Sequence, residues 1–359
     1  MKHRAFLLNT TILLLMIPLL LLLATYESAS SSIIFAQNER TQVEREYFDI
    51  LGMQEDLRNA IDLSMKKSYL TMTEYVISNG FVNDASETME DLIVYGEING
   101  VKQTELNKFT LKYWFGNVVT YLQAQGMTIT PNDPDEFVSN HLEITVAPLD
   151  SFHLAVRVKI KDITIQDSSG KVVYQGDLPQ SGYMYSILSI SGVEDPYIAR
   201  KLNGLYTRVI EPCRIPFPSS EYGFYNVSEL DNAALDQCYI GVDGDNVIYP
   251  SILERFEGNI NYQTHEHYLS LAHEFQRDLG IKTPLPIGLA TLTVPSVDNV
   301  LLEALKSLGG TPLPSSTNID YYYLQCAIDG SPCLTGVPVP GSEYGIILDS
   351  ASSDAILGP

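Results

Sequence analysis

Basic residues are scarce in this chain of 359 residues: 22 Lys plus Arg stand against 44 Asp plus Glu, a formal net charge of -22. So negative a surface repels phosphate backbones, which excludes nucleic acid as a partner. The short motifs of common chemistry are missing too. There is no Gly-x-Ser-x-Gly elbow, no phosphate-binding loop and no dinucleotide fingerprint. No catalytic residue is assigned, and the expectation is that the protein is not an enzyme. A second apolar run is also lacking: the next most apolar stretch, residues 281–302, is broken by Pro284, Pro286 and Pro295 and carries Lys282 and Asp298. No cysteine lies near the end of the first apolar run, which argues against a lipid-anchored lipoprotein. There is no internal repeat and no low-complexity block.

The first apolar run is the strongest signal present. Residues 5–24 carry no charge, Lys2, His3 and Arg4 precede them, and Glu27 follows. At about 1.5 Å per helical residue the run reaches roughly 30 Å, the thickness of a hydrocarbon core. This predicts a signal anchor over residues 1–27, a cytoplasmic tip and a transmembrane segment, with the lipid bilayer as a partner. The flanking charges place the N-terminus in the cytoplasm and the bulk of a single-pass chain outside the cell. Ser28-Ala29-Ser30 offers a cleavage site as the alternative.

Residues 28–78 read as a helical stem. Val43, Tyr47, Ile50, Gln54, Leu57, Ile61, Ser64 and Ser68 step alternately by four and three, a heptad-like stripe. The stripe packs either on its own domain or against copies of itself, and Asn79-Gly80 supplies the stop. Residues 79–191 read as an α+β domain. Helices are expected at 87–94 and 108–125, and strands at 141–149, 152–165, 171–175 and 183–190, with a turn at Ser168-Ser169-Gly170. Helices first and antiparallel strands afterwards predict a sheet with helices on one face. Residues 192–359 turn to short Pro-, Gly- and Tyr-rich segments, expected to be irregular and β-rich. From Glu211 onwards 19 acidic residues face five basic ones, and all four cysteines lie here. The fold class is therefore α+β: an N-terminal transmembrane helix continuing into a long stem, then helices on an antiparallel sheet, then a β-rich, disulfide-containing distal region.

Outside the cell, disulfides are the default for Cys213, Cys238, Cys326 and Cys333. Of three possible pairings the local ones, Cys213 with Cys238 and Cys326 with Cys333, are favoured, because each brackets a segment with little core of its own. Neither gap suits a zinc knuckle. His265, His267 and His273 in "THEHYLSLAHEF" are metal candidates by composition, but at roughly 100° per residue they point in different directions. Arg277 stands where a metalloprotease motif needs its second histidine. Asp243 and Asp245 in "GVDGDNV" resemble the start of a calcium loop, with Glu254 at the twelfth position and Ile248 where the sixth should be glycine. A turn is the first reading; a weakly bound Ca2+ is the one cofactor the pattern suggests. Asn226 in "NVS" is a glycosylation sequon, while "NTT" at Asn9 falls in the apolar run.

The N-terminus resembles archaeal type IV pilin-like proteins. Arg4-Ala5 would occupy the positions before the cut, Phe6 would begin the mature chain, and the helix from Phe6 into the stripe looks like a pilin stem. "EDPYIARKLNGLYTRVIEPC" from Glu194 and "SILERFEGN" from Ser251 are similar to segments of uncharacterised methanogen surface proteins. The resemblance implies a membrane-anchored, extracellular structural or adhesive surface protein, a pilin-like subunit whose partners are copies of itself or related subunits. The alternative is an anchored ectoenzyme, or a metal- or substrate-binding subunit, with an acidic head.

Overall fold

The computed structural model describes residues 2–214, 224–243, 248–258 and 260–358, with the side chains of residues 2–15 and of positions 17, 19, 24, 39, 42, 43, 45 and 46 outside the description. Arg4, Ala5 and Phe6 thus belong to a described helix, but their side chains do not. The chain divides into two compact units, residues 1–56 and residues 57–359. Helix α1 (Lys2–Asn79) supplies the first unit and opens the second.

The membrane expectation is corrected. Among the described residues no helix is long and apolar enough to cross a membrane. The strictly apolar run, residues 12–24, would reach only about 20 Å as a helix, against the roughly 30 Å a bilayer core demands. Asn9, Thr10 and Thr11 bound it on one side and Thr25 on the other, and Pro18 interrupts it. The single-pass localisation with a cytoplasmic N-terminus rested on that run and falls with it.

In the second unit, Leu57, Ile61, Met65, Tyr69, Met72 and Val76 repeat at helical spacing and are all 1% exposed or less. They form the face on which the domain is built. The helix stops at Asn79, where Gly80 takes a φ of +130° that favours glycine. Two further helices follow, α2 (Ala85–Val94), capped by Asp84, and α3 (Leu111–Ala124), capped by Thr110. Five antiparallel strands come next: β1 (Thr128–Thr130), β2 (Leu142–Asp150), β3 (His153–Gln166), β4 (Val172–Leu178) and β5 (Met184–Ser189). The long β3 is central. Its first half pairs with β2 on one side and β5 on the other, and its second half with β1 and β4. Val156 fixes the register, opposite Val146 of β2 and Ser186 of β5. Leu154, Val156, Val158 and Ile160 point inwards, as their alternation predicts. Asp162, at a φ of +51°, marks the irregularity between Ile160 and Ile163.

The β-rich expectation for residues 192–359 is also corrected. Its described part is mainly short helices: α4 (Pro196–Lys201), α5 (Val227–Asp236), α6 (Ile252–Glu257), α7 (Tyr262–Asp278), α8 (Asn299–Ser307), α9 (Asp320–Leu324) and α10 (Ser350–Leu357). Strands β6 (Tyr239–Gly241) and β7 (Leu289–Thr291) are three residues each. Capping decides the outcome. Asn226 with Glu229 and Ser251 with Glu254 close reciprocal capping boxes that start α5 and α6. These helices and strands enclose a core of Leu230, Ile240, Tyr249, Leu292, Ile319 and Ile356. Helix α7 instead packs on the sheet, setting Phe275 against Ala147, Leu149 and Ala155.

Candidate functional site

Both favoured disulfides are present. Cys213–Cys238 has a Cα separation of 5.0 Å and Cys326–Cys333 one of 5.1 Å. The first is braced by a backbone exchange, in which Cys213 N–H donates to Tyr239 and Tyr239 N–H donates to Glu211. Beside it opens a cavity of about 290 Å3 walled by Arg214, Tyr225, Glu229, Asn232 and Asp236. Glu229 is already committed to the α5 cap.

The three histidines do not converge. His265 faces inwards, and His267 and His273 lie exposed on other sides of α7. His265 Nδ1 lies 3.1 Å from the carboxylate of Glu254, a residue with no exposed surface. Burial disfavours the charged imidazole, but the hydrogen bond and charge of Glu254 outweigh it and raise the pKa. Asp243 accepts N–H bonds from Ile287 at 3.2 Å and Gly288 at 3.1 Å. The residue as a whole is exposed, yet its carboxyl is enclosed enough for desolvation to push its pKa up to about 6. Asp245 lies outside the described residues. Glu254, the twelfth position of the calcium pattern, faces inwards and caps α6. Among the described residues no group of three His, Cys, Asp or Glu side chains is placed to hold a metal ion. Asn226 is exposed, with its Oδ1 occupied by the cap.

The densest polar constellation was not foreseen. Arg255, completely buried, donates through Nη1 to Asp195 at 2.6 Å and Asp320 at 2.8 Å, and through Nη2 to the Leu289 carbonyl. Tyr239 donates its hydroxyl to Asp195 at 2.8 Å, and Asp195 also caps α4 through the N–H groups of Tyr197 and Ile198. Asp320 accepts the Thr291 N–H at 3.0 Å. Burial raises the Asp195 pKa even against the pull of Arg255. A second centre lies nearby in the chain fold, where Arg208 reaches Asp298 at 3.1 Å and Thr291 Oγ1 at 2.8 Å. These groups are closed to water and turned on one another, an arrangement that fixes α4, α6, α9, β6 and β7 together. The two segments singled out for their resemblance hold Asp195, Arg208, Glu254 and Arg255. An Asp followed by Pro at a helix start was a readable cap at Asp195; nothing local pointed to Arg255 as a buried cation.

Comparison with protein-family models, with curated proteins and with solved structures finds no match.

Proposed function

We propose that this is a structural or adhesive protein whose residues 2–56 pack against the same segment of other copies, as the N-terminal resemblance to pilin-like proteins implies. One observation carries the reading. Leu20, Leu21, Leu22 and Leu23 are successive, all more than half exposed, and cover roughly 300° of the helix circumference. Ile33, Ile34, Phe35, Tyr47 and Phe48 are exposed on the same segment. Apolar surface of this extent calls for a partner, and a helix apolar all round calls for partners on more than one side. The two disulfides are compatible with an extracellular location.

Sedimentation of the full chain over a roughly hundredfold concentration range tests this. The expected result is association beyond a dimer, abolished by the combined Ile33→Asp, Ile34→Asp and Phe35→Asp substitutions. A chain that stays monomeric throughout, or a variant that associates like the parent, overturns it.

A further inference from the structure

Helix α2 packs against β2, an edge strand of the five-stranded sheet, and against α6. An edge strand presents backbone groups that lack a neighbouring strand. At Val146 two side chains of α2 take that place. Val146 N–H donates to Glu90 Oε1 at 3.1 Å, and Ser86 Oγ donates to the Val146 carbonyl at 2.6 Å. At the start of α2, Ala85 N–H donates to Glu257 Oε1 of α6 at 3.0 Å, and the Tyr268 hydroxyl of α7 donates to the same oxygen at 2.5 Å. One glutamate leaves the helix for the sheet and another reaches the helix from α6.

The surroundings of both carboxyls are acidic. Asp84 and Asp91 act on Glu90, and Asp84 and Glu254 act on Glu257. From α7 come Tyr268, at Glu257, and His265, which is held by Glu254. At the far end of α2, Glu97 acts on Asp91, and Lys112 and Asp135 act on Tyr95. Burial pushes Glu90 and Glu257 each up to about 7, against the pull of the hydrogen bonds from Val146 and Ser86 at Glu90 and from Tyr268 and Ala85 at Glu257. Asp84 adds to the rise at both, Asp91 at Glu90 and Glu254 at Glu257.

We propose that α2 is an acid-fastened latch on the sheet edge, held down by protonated Glu90 and Glu257 and loosened when both ionise. A protonated carboxyl keeps an acceptor oxygen for the backbone N–H, so the fastening bonds survive protonation. Ionisation places two charges in an interface already occupied by Asp84 and Glu254. In the open form the carboxyls meet water and return to ordinary values near 4.5. The closed form then binds more protons than the open one. Closure is fully favoured below about pH 4.5, and the preference is lost as the pH rises towards about 7.

Amide hydrogen exchange of the full chain at about pH 5 and pH 7.5, corrected for intrinsic rates, reads the latch directly. Protection at Ala85 and Val146 is expected to fall at least tenfold at the higher pH, while Val156 in the centre of β3 keeps its protection. The Glu90→Gln, Glu257→Gln double variant retains the acceptors without the ionisation and is expected to hold the same protection at both values. Equal protection of Ala85 and Val146 at both pH values in the parent overturns the proposal, whether or not the variant folds. So does an undiminished pH dependence in a folded variant.

Discussion

Two parts of one helix treat apolar side chains in opposite ways. In residues 57–79, Leu57, Ile61, Met65 and Tyr69 are completely shielded; in residues 2–56, Leu20 to Leu23, Ile33, Ile34 and Phe35 face outwards. Composition does not separate them, since both are rich in aliphatic and aromatic residues. Residues 57–79 have a surface to pack on within their own unit, where the packing is thorough enough to enclose Arg255, Asp195, Asp320 and Glu254 with no exposed surface. Periodicity thus tells which residues share a face, and only a partner decides whether that face is buried.

The largest expected effect tests how far the interior depends on internal charge pairing. Arg255→Met leaves Asp195 and Asp320 buried without their cation, at a cost of about 3 to 5 kcal/mol. The corresponding change in the first unit, Arg40→Met, removes an exposed pair with Glu44 and is expected to cost less than about 0.5 kcal/mol. Urea unfolding of both variants provides the ratio. Equal losses would erase the contrast, and adding Asp320→Asn to Arg255→Met should recover part of the large one.

Next come the disulfides, both inside residues 57–359. Cys213–Cys238 spans 25 residues and Cys326–Cys333 spans seven, so loop entropy assigns about 3.5 and about 2.5 kcal/mol. Replacing each pair by serine and comparing thermal midpoints should rank them in that order. The reverse order would show that the short loop carries native packing beyond its closure.

Much of the second unit was legible. The four long strands fall within a few residues of their expected positions, because Leu154, Val156, Val158 and Ile160 alternate without interruption. Local disulfide pairing was readable from the segments the cysteines bracket. Of the distal helices, α7 is legible from its periodicity, but α5 and α6 are not, because Pro, Gly and Tyr content suggests strands while the deciding signals are Asn226 with Glu229 and Ser251 with Glu254, two capping boxes each closed between residues three apart. The ion centre was illegible for another reason: Asp195 and Asp320 lie 60 and 65 residues from Arg255, and charged residues read as surface until the fold brings them together. The apolar N-terminal run has the length of an anchor only when it is taken through the polar Asn9, Thr10 and Thr11. Helical spacing separates His265 from the other two histidines but does not show that it turns inwards to Glu254.

The smallest effect is the sharpest test of the comparison, because it uses two positions of the same heptad-like stripe. Leu57 is fully buried, whereas Tyr47, ten residues earlier, is 61% exposed. Leu57→Ala leaves a cavity in the second unit and is expected to cost about 3 kcal/mol. Tyr47→Ala removes a larger side chain and is expected to change the unfolding free energy of the dilute chain by less than about 0.5 kcal/mol. Its effect should emerge only as protein concentration rises and copies cover the segment, when stability gained by association is lost in the variant. A Tyr47→Ala penalty independent of concentration would mean that residues 2–56 are buried by their own chain. The contrast between the two parts of the helix would then belong to sequence position, with no role for a missing partner.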